Sequence, residues 1–250
     1  SRYISMNGRA FLKSVRAVAV ASATICYLVG GCSSLSSDPR IAEFERGLEA
    51  YDRGDDDAAA IIWYPLAQAG LCRAENALST IANASDPALA AAFELDPKER
   101  GYLCWELERR AAEHGHHDAQ HWLARSHYNH GAPPPGSLAY VDAIYWDERS
   151  ASQGNLFALN TLLSTLPDTD PELALVWILR TDAVVRFNPY HDYLHLRHLA
   201  DRLRLPVQMT LSVDQIERAR AGADGWTPEI ESAGIENGCY LGTKWYRFRF

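Results

Sequence analysis

The chain has 250 residues, 47% of them hydrophobic and 22% charged, which is enough apolar material for one sizeable core or an array of helical units. Its 32 acidic and 24 basic side chains give a formal net charge of −8, a balance that opposes nonspecific binding to nucleic acid or to an anionic lipid surface. A basic protein partner would be attracted instead.

The first predicted element is a short hydrophobic segment near the N-terminus. Arg9, Lys13 and Arg16 precede an apolar run from Ala17 to Val29, broken by Ser22 and Thr24. The run is shorter than the roughly 20 apolar residues that a spanning helix needs. A positive flank, a short apolar core and small residues before a cut site read as a secretory signal, with Met6 as the expected initiator. The segment closes on Leu28-Val29-Gly30-Gly31-Cys32, which resembles the bacterial lipoprotein signal, or lipobox. The resemblance implies cleavage between Gly31 and Cys32 and a lipidated Cys32 as first residue of the mature chain. Several acyl chains, at about 0.8 kcal/mol per buried methylene, would hold it on a membrane. Ser33, where the usual inner-membrane retention signal has Asp, favours the periplasmic face of the outer membrane. Residues 32–40 then form a short linker. Losing residues 1–31 removes four basic side chains and no acid, so the mature balance is −12. Cys72, Cys104 and Cys239 remain in an oxidising compartment. Three cysteines allow at most one bridge, and the sequence leaves both the pairing and the alternative of three free thiols open.

From Ile41 onward the chain is rich in Ala, Leu and Trp and repeats itself. Ala67-Gln68-Ala69-Gly70, Ala112-Glu113-His114-Gly115 and Ala151-Ser152-Gln153-Gly154 each place an alanine three before a glycine, and the glycines lie 45 and 39 residues apart. Four residues after each glycine stands Ala74, Ala119 or Ala158, and four later Leu78, Leu123 or Leu162. The glycine suits a left-handed helix C-cap. The alanine and leucine share one face of the next helix, the small residue permitting close approach and the large one filling the core. Asp118-Ala119-Gln120 with Leu123 and Tyr128, and Ala59 with Trp63-Tyr64, resemble the Sel-one-like repeat, a relative of the tetratricopeptide repeat. That resemblance implies an all-α superhelical array of antiparallel helix pairs over residues 41–226, with three clear copies to Leu166. A degenerate fourth begins at Leu173-Ala174-Leu175-Val176-Trp177 and lacks the marker glycine. Residues Leu211 to Trp226 are expected as a capping helix with Ser212 as N-cap. Asn83 to Asp96 and Asn129 to Ser137 read as surface loops. Residues 227–250 change character: Asn237-Gly238 is a turn signal and the aromatic stretch from Tyr240 is β-prone, predicting a short hairpin or extended tail against the last helices.

Few constellations suggest chemistry. His117 and His121 are spaced i, i+4, as in a zinc pair, but the neighbouring Gly115, Asp118, Ala119 and Gln120 are already dictated by the repeat. They are weak metal candidates, as are His191, His195 and His198, and no metal or other cofactor is expected. Asp55-Asp56-Asp57 lacks the alternate spacing of a calcium loop and reads as a helix N-cap and first turn. No nucleophile elbow, phosphate loop or selected carboxylate pair appears, so no catalytic residue and no small-molecule substrate is expected. Trp63, Trp105, Trp146 and Trp177 recur at repeat positions and are mostly expected in the core. A partner surface is expected at His121, Arg125, Trp245 and Tyr246.

These features describe a non-enzymatic, lipid-anchored repeat protein that binds another protein, as an envelope scaffold or as an inhibitor. Lipoproteins with such repeats resemble immunity proteins that neutralise phospholipase effectors of type VI secretion; that reading implies a basic secreted lipase effector as partner. A weaker resemblance, to repeat proteins linked to β-lactam binding or hydrolysis, has no serine, zinc or lysine constellation to support it.

Overall fold

The computed structural model describes residues 39–83, 97–128, 133–187 and 194–239. The signal segment, Cys32, His191 and the aromatic stretch with Trp245 and Tyr246 lie outside them. Among the described residues there is no strand, and no helix is long and apolar enough to cross a membrane.

Helix α1 (Pro39–Asp52) packs on α2 (Asp56–Gln68), burying Phe44, Gly47 and Leu48 at i, i+3, i+4 spacing. Trp63 of α2 stacks on Phe44, donates its indole N–H to the Phe44 carbonyl at 3.1 Å, and lies so close that a Cβ on Gly47 would stand 2.2 Å from it. The array continues as α3 (Cys72–Asn83), α4 (Pro97–Glu113), α5 (His117–Ser126), α6 (Leu138–Ser152) and α7 (Leu156–Thr165). A 3-10 turn at Leu166–Asp168 leads to α8 (Pro171–Phe187) and α9 (Leu194–Met209). Each helix packs on the next in sequence, which makes the molecule an α-solenoid of helix pairs, as the repeat pattern predicts.

The pairs turn at the three marker glycines. Gly70, Gly115 and Gly154 have φ of +78°, +98° and +93°, and the residue after each donates its N–H back five residues, as in Leu71 to the Leu66 carbonyl. This double closure is the Schellman motif, and only glycine takes its left-handed position without steric cost. The alanines and leucines of the repeat are buried as expected. Between α1 and α2 the same closure occurs at Gly54, and Asp55 accepts from the Ala58 N–H, so the acidic run starts a helix. Ser137 and Asn155 cap α6 and α7.

In the C-terminal region the helix keeps its expected cap, whereas the tail departs from the sequence-based expectation. Helix α10 (Val213–Ala223) has Ser212 as N-cap, in a reciprocal capping box with Gln215. Its main packing partner is α8, and Leu205 and Met209 of α9 stay exposed. The tail, expected against the last helices, runs back along the inter-helix turns. Glu229 N–H donates to the Ser152 carbonyl and Glu231 N–H to Gln153 Oε1 at the third turn. The short α11 (Ser232–Glu236) crosses the second turn, where a Cβ on Gly115 would meet the Gly234 nitrogen at 2.6 Å. At the first turn Cys72 N–H donates to the Asn237 carbonyl, and Cys72 and Cys239 form a disulfide. The bridge resolves the pairing that the sequence left open and leaves Cys104 free.

This strap spans a weak point. The apolar cores at the two ends are large, one around Trp63 and one around Trp177, whereas the middle core holds little more than Ala111, Ala112, Ala119, Leu123 and the disulfide. Polar groups fill the gap. Glu75, fully buried, meets Arg110 Nη2 at 2.7 Å and His114 Nδ1 at 2.8 Å. At the next junction the position of Glu75 is taken by Gln120, and the missing carboxylate comes from the strap: Glu231 accepts from Arg149 Nε and Nη2 at 2.9 and 2.5 Å and from Gln120 at 3.2 Å. The same arginine position is thus neutralised twice, once from within the repeat and once from the tail.

Candidate functional site

The first helices of the pairs turn an unfilled apolar face outward. On α4, Tyr102 is 68% and Trp105 46% exposed; on α6, Leu138, Val141 and Tyr145 are 84%, 53% and 51% exposed. Their spacing of three to four residues puts each set on one helix face, and Tyr102 and Val141 both stand thirteen residues before their marker glycines. The rings are held in place. Arg109, bound to Glu106 and Glu113, lies over Trp105 at 5.8 Å. Arg149, fixed by Glu231, covers Tyr145 and Trp146 at 5.5 and 4.9 Å and donates to the Tyr145 hydroxyl. Aromatic rings preset by arginines lose little freedom on binding and suit an interface.

The second helices present a smaller surface. Trp122 on α5 is 45% exposed with Arg125 over its ring at 4.9 Å, and Phe157 on α7 is exposed next to His121. Of the residues expected on this surface Arg125 is exposed, but His121 is not free to meet a partner. It is buried, with Nδ1 2.8 Å from Asp147 Oδ1 in a pair that joins α5 to α6. Trp63 and Trp177 are core residues as expected and Trp146 is partly buried, whereas Trp105 belongs to the exposed face.

The metal candidates are engaged separately. His117 Nδ1 lies 3.0 Å from Asp118, and Asn155 reaches both. His121 serves Asp147 instead, and among the described residues no three His, Cys, Asp or Glu side chains are grouped to hold a metal. His116 is buried and caps α5 by accepting from the Ala119 N–H. Burial holds its pKa down at about 3, the neutral form that an acceptor needs. Burial, with the Glu108 charge beside it, pushes the Cys104 thiol up to about 11, which keeps it from acting as a thiolate nucleophile.

Glu108 itself is raised to about 7 by burial. A carboxyl raised in the folded state favours folding below its ordinary pKa and loses that contribution as pH rises through about 7. Glu108→Gln is therefore expected to leave stability at pH 4.5 nearly unchanged and to raise it at pH 8 by on the order of 2 kcal/mol. Urea unfolding at the two pH values checks this, and an equal effect at both would contradict it.

The buried network was not legible as a site. Its signal was the shared register of Glu75 and Gln120, five residues after their glycines, and of Arg110 and Arg149, five before the next. Nothing in that register announced Glu231.

No protein-family model matches the chain, and no curated protein matches it. Among solved structures it is similar to the crystal structure of a protective antigen present in uropathogenic Escherichia coli strains that displays an SLR fold, with a TM-score of 0.39 and 17% identity. The likeness covers 80% of this chain and 47% of that one, so the chain spans about half of that protein's length.

Proposed function

We propose that the chain is a non-enzymatic protein-binding repeat protein, anchored through a lipid on Cys32 to the periplasmic face of the outer membrane. The observation that carries the binding reading is the row of arginine-braced, exposed aromatic and aliphatic side chains on α4 and α6. Unpartnered patches of this kind mark interaction surfaces. The anchor rests on the lipobox resemblance, and the Cys72–Cys239 bridge suits an oxidising compartment. Within this reading the finer role is inhibition: the mature charge of −12 would attract a basic secreted phospholipase effector and speed its encounter with an immunity protein on the membrane under attack.

The test is affinity capture with the detergent-solubilised full chain and its Tyr102→Asp/Val141→Asp variant. Both substituted side chains are more than half exposed, so the variant retains its core. One stoichiometric partner retained by the wild type and lost by the variant is the expected result; equal capture by both removes the proposed face. Phospholipase activity of that partner, abolished by one equivalent of this chain, would make the role inhibitory; an inactive structural partner would make it a scaffold. Cys32→Ser should move the chain from the membrane to the soluble fraction, and unchanged membrane retention would overturn the anchor.

A further inference from the structure

The exposed face of α4 and α6 has a counterpart that is already occupied. Trp146, Arg149 and Ser150 of α6 recur 31 residues later as Trp177, Arg180 and Thr181 of α8, and Ala143-Ile144 recurs as Ala174-Leu175. The arginine lies over the tryptophan in both, at 4.9 and 5.1 Å. In this register Val141 and Tyr145 correspond to Glu172 and Val176. Those two positions of α8 are covered by α10. Arg218 donates through Nε and Nη2 to Glu172 at 2.7 and 2.8 Å, and a Cβ on Gly222 would lie 3.7 Å from Val176. Beyond them Arg180 Nη2 donates to the Gly222 carbonyl at 2.6 Å, and Trp226 packs edge-on against Trp177. Contacts advance together along both chains, from 218 on 172 to 222 on 176, so α10 runs in the same direction as α8. It presents Ile216 and Ala219 at i and i+3, with Arg218 on the flank.

We infer that the face of α4 and α6 receives an amphipathic α-helix of a protein partner, seated as α10 is seated on α8. On α6 it is the same surface one repeat unit earlier and on α4 two units earlier, and Tyr102, Val141 and Tyr145 stand at the positions that α10 covers on α8. Where α10 offers Arg218 to Glu172, α6 offers the exposed Asp142 beside Val141, so the incoming helix carries an apolar stripe at i, i+3/i+4, i+7 and a basic flank. Arg149, bound to Glu231, stays a brace for Tyr145, unlike Arg180, which reaches the end of α10. This assignment rests on the protein-binding reading above and names the form of the partner.

A phage-displayed library of random peptides, panned on the full chain and on Tyr102→Asp/Val141→Asp, separates the two claims. The expected result is enrichment of sequences with a helical apolar period and Lys or Arg beside the stripe, whose binding to the variant falls about tenfold or more. A selected peptide should also protect α4 and α6 amides from hydrogen exchange. Enriched peptides that lack helical period but still need Tyr102 and Val141 would overturn the helical occupant and leave the protein-binding face standing. No enrichment, or peptides bound equally by the variant, would overturn the site. Concentration-dependent self-association abolished by the same variant would assign the face to a second copy and also overturn the inference.

Discussion

Replacing Cys239 by Ser is expected to cost about 2–5 kcal/mol of stability, read as a lower urea midpoint, with reduction of the wild type having the same effect. The two cysteines are 167 residues apart, so the bridge restricts a long loop in the unfolded chain. It also pins the strap over the alanine-rich middle of the array, where the apolar core is smallest. Loss of the bridge should therefore be felt locally as well: the amides of Glu229 and Glu231, which donate to the third turn, should exchange faster than those of α8. Cys239→Ser protein that unfolds at the wild-type midpoint, and is as protected at Glu231, would show that the strap is held without the bridge. A variant Glu231→Ala, which frees Arg149 but keeps the disulfide, distinguishes the covalent tie from the ionic one.

His121→Ala is expected to be at least as damaging, at about 3–5 kcal/mol, because it strands the buried Asp147 carboxylate. Asp147 is fully buried and its Oδ2 has no hydrogen-bond partner, so the contact from His121 to Oδ1 is its main compensation. Burial already raises the Asp147 pKa against the lowering influence of His121. Without the imidazole the carboxyl shifts further up, and the folded variant binds a proton that the unfolded chain has released. Its stability should accordingly be greatest near pH 4 or below and fall as pH rises through the raised value. Replacing both residues by leucine should recover much of the loss, since an apolar pair leaves no buried charge. If His121→Ala instead unfolds like the wild type while partner capture is lost, His121 is a surface contact and the buried pair is not what joins α5 to α6.

The sequence by itself determined the local structure. A glycine that alone tolerates a left-handed turn, an alanine four residues on and a leucine one turn further define helix ends and buried faces within a few residues of one another, so the solenoid and its three marked turns were legible. Ser212 and Asp55 were readable as caps for the same reason, since capping joins a side chain to a backbone N–H only a few residues away. Tertiary structure alone decided what joins distant positions. That Cys239 meets Cys72, that Glu231 supplies the carboxylate Gln120 lacks, and that α10 lies on α8 depend on where the chain returns in space. It likewise decided that Trp105, ten residues before its marker glycine, faces outward while Trp63, seven before its own, is buried. Periodicity fixes which residues share a helix face; which face is covered depends on the neighbour that arrives there, and among the described residues one unit of this array has its neighbour in α10 while the units before it have none.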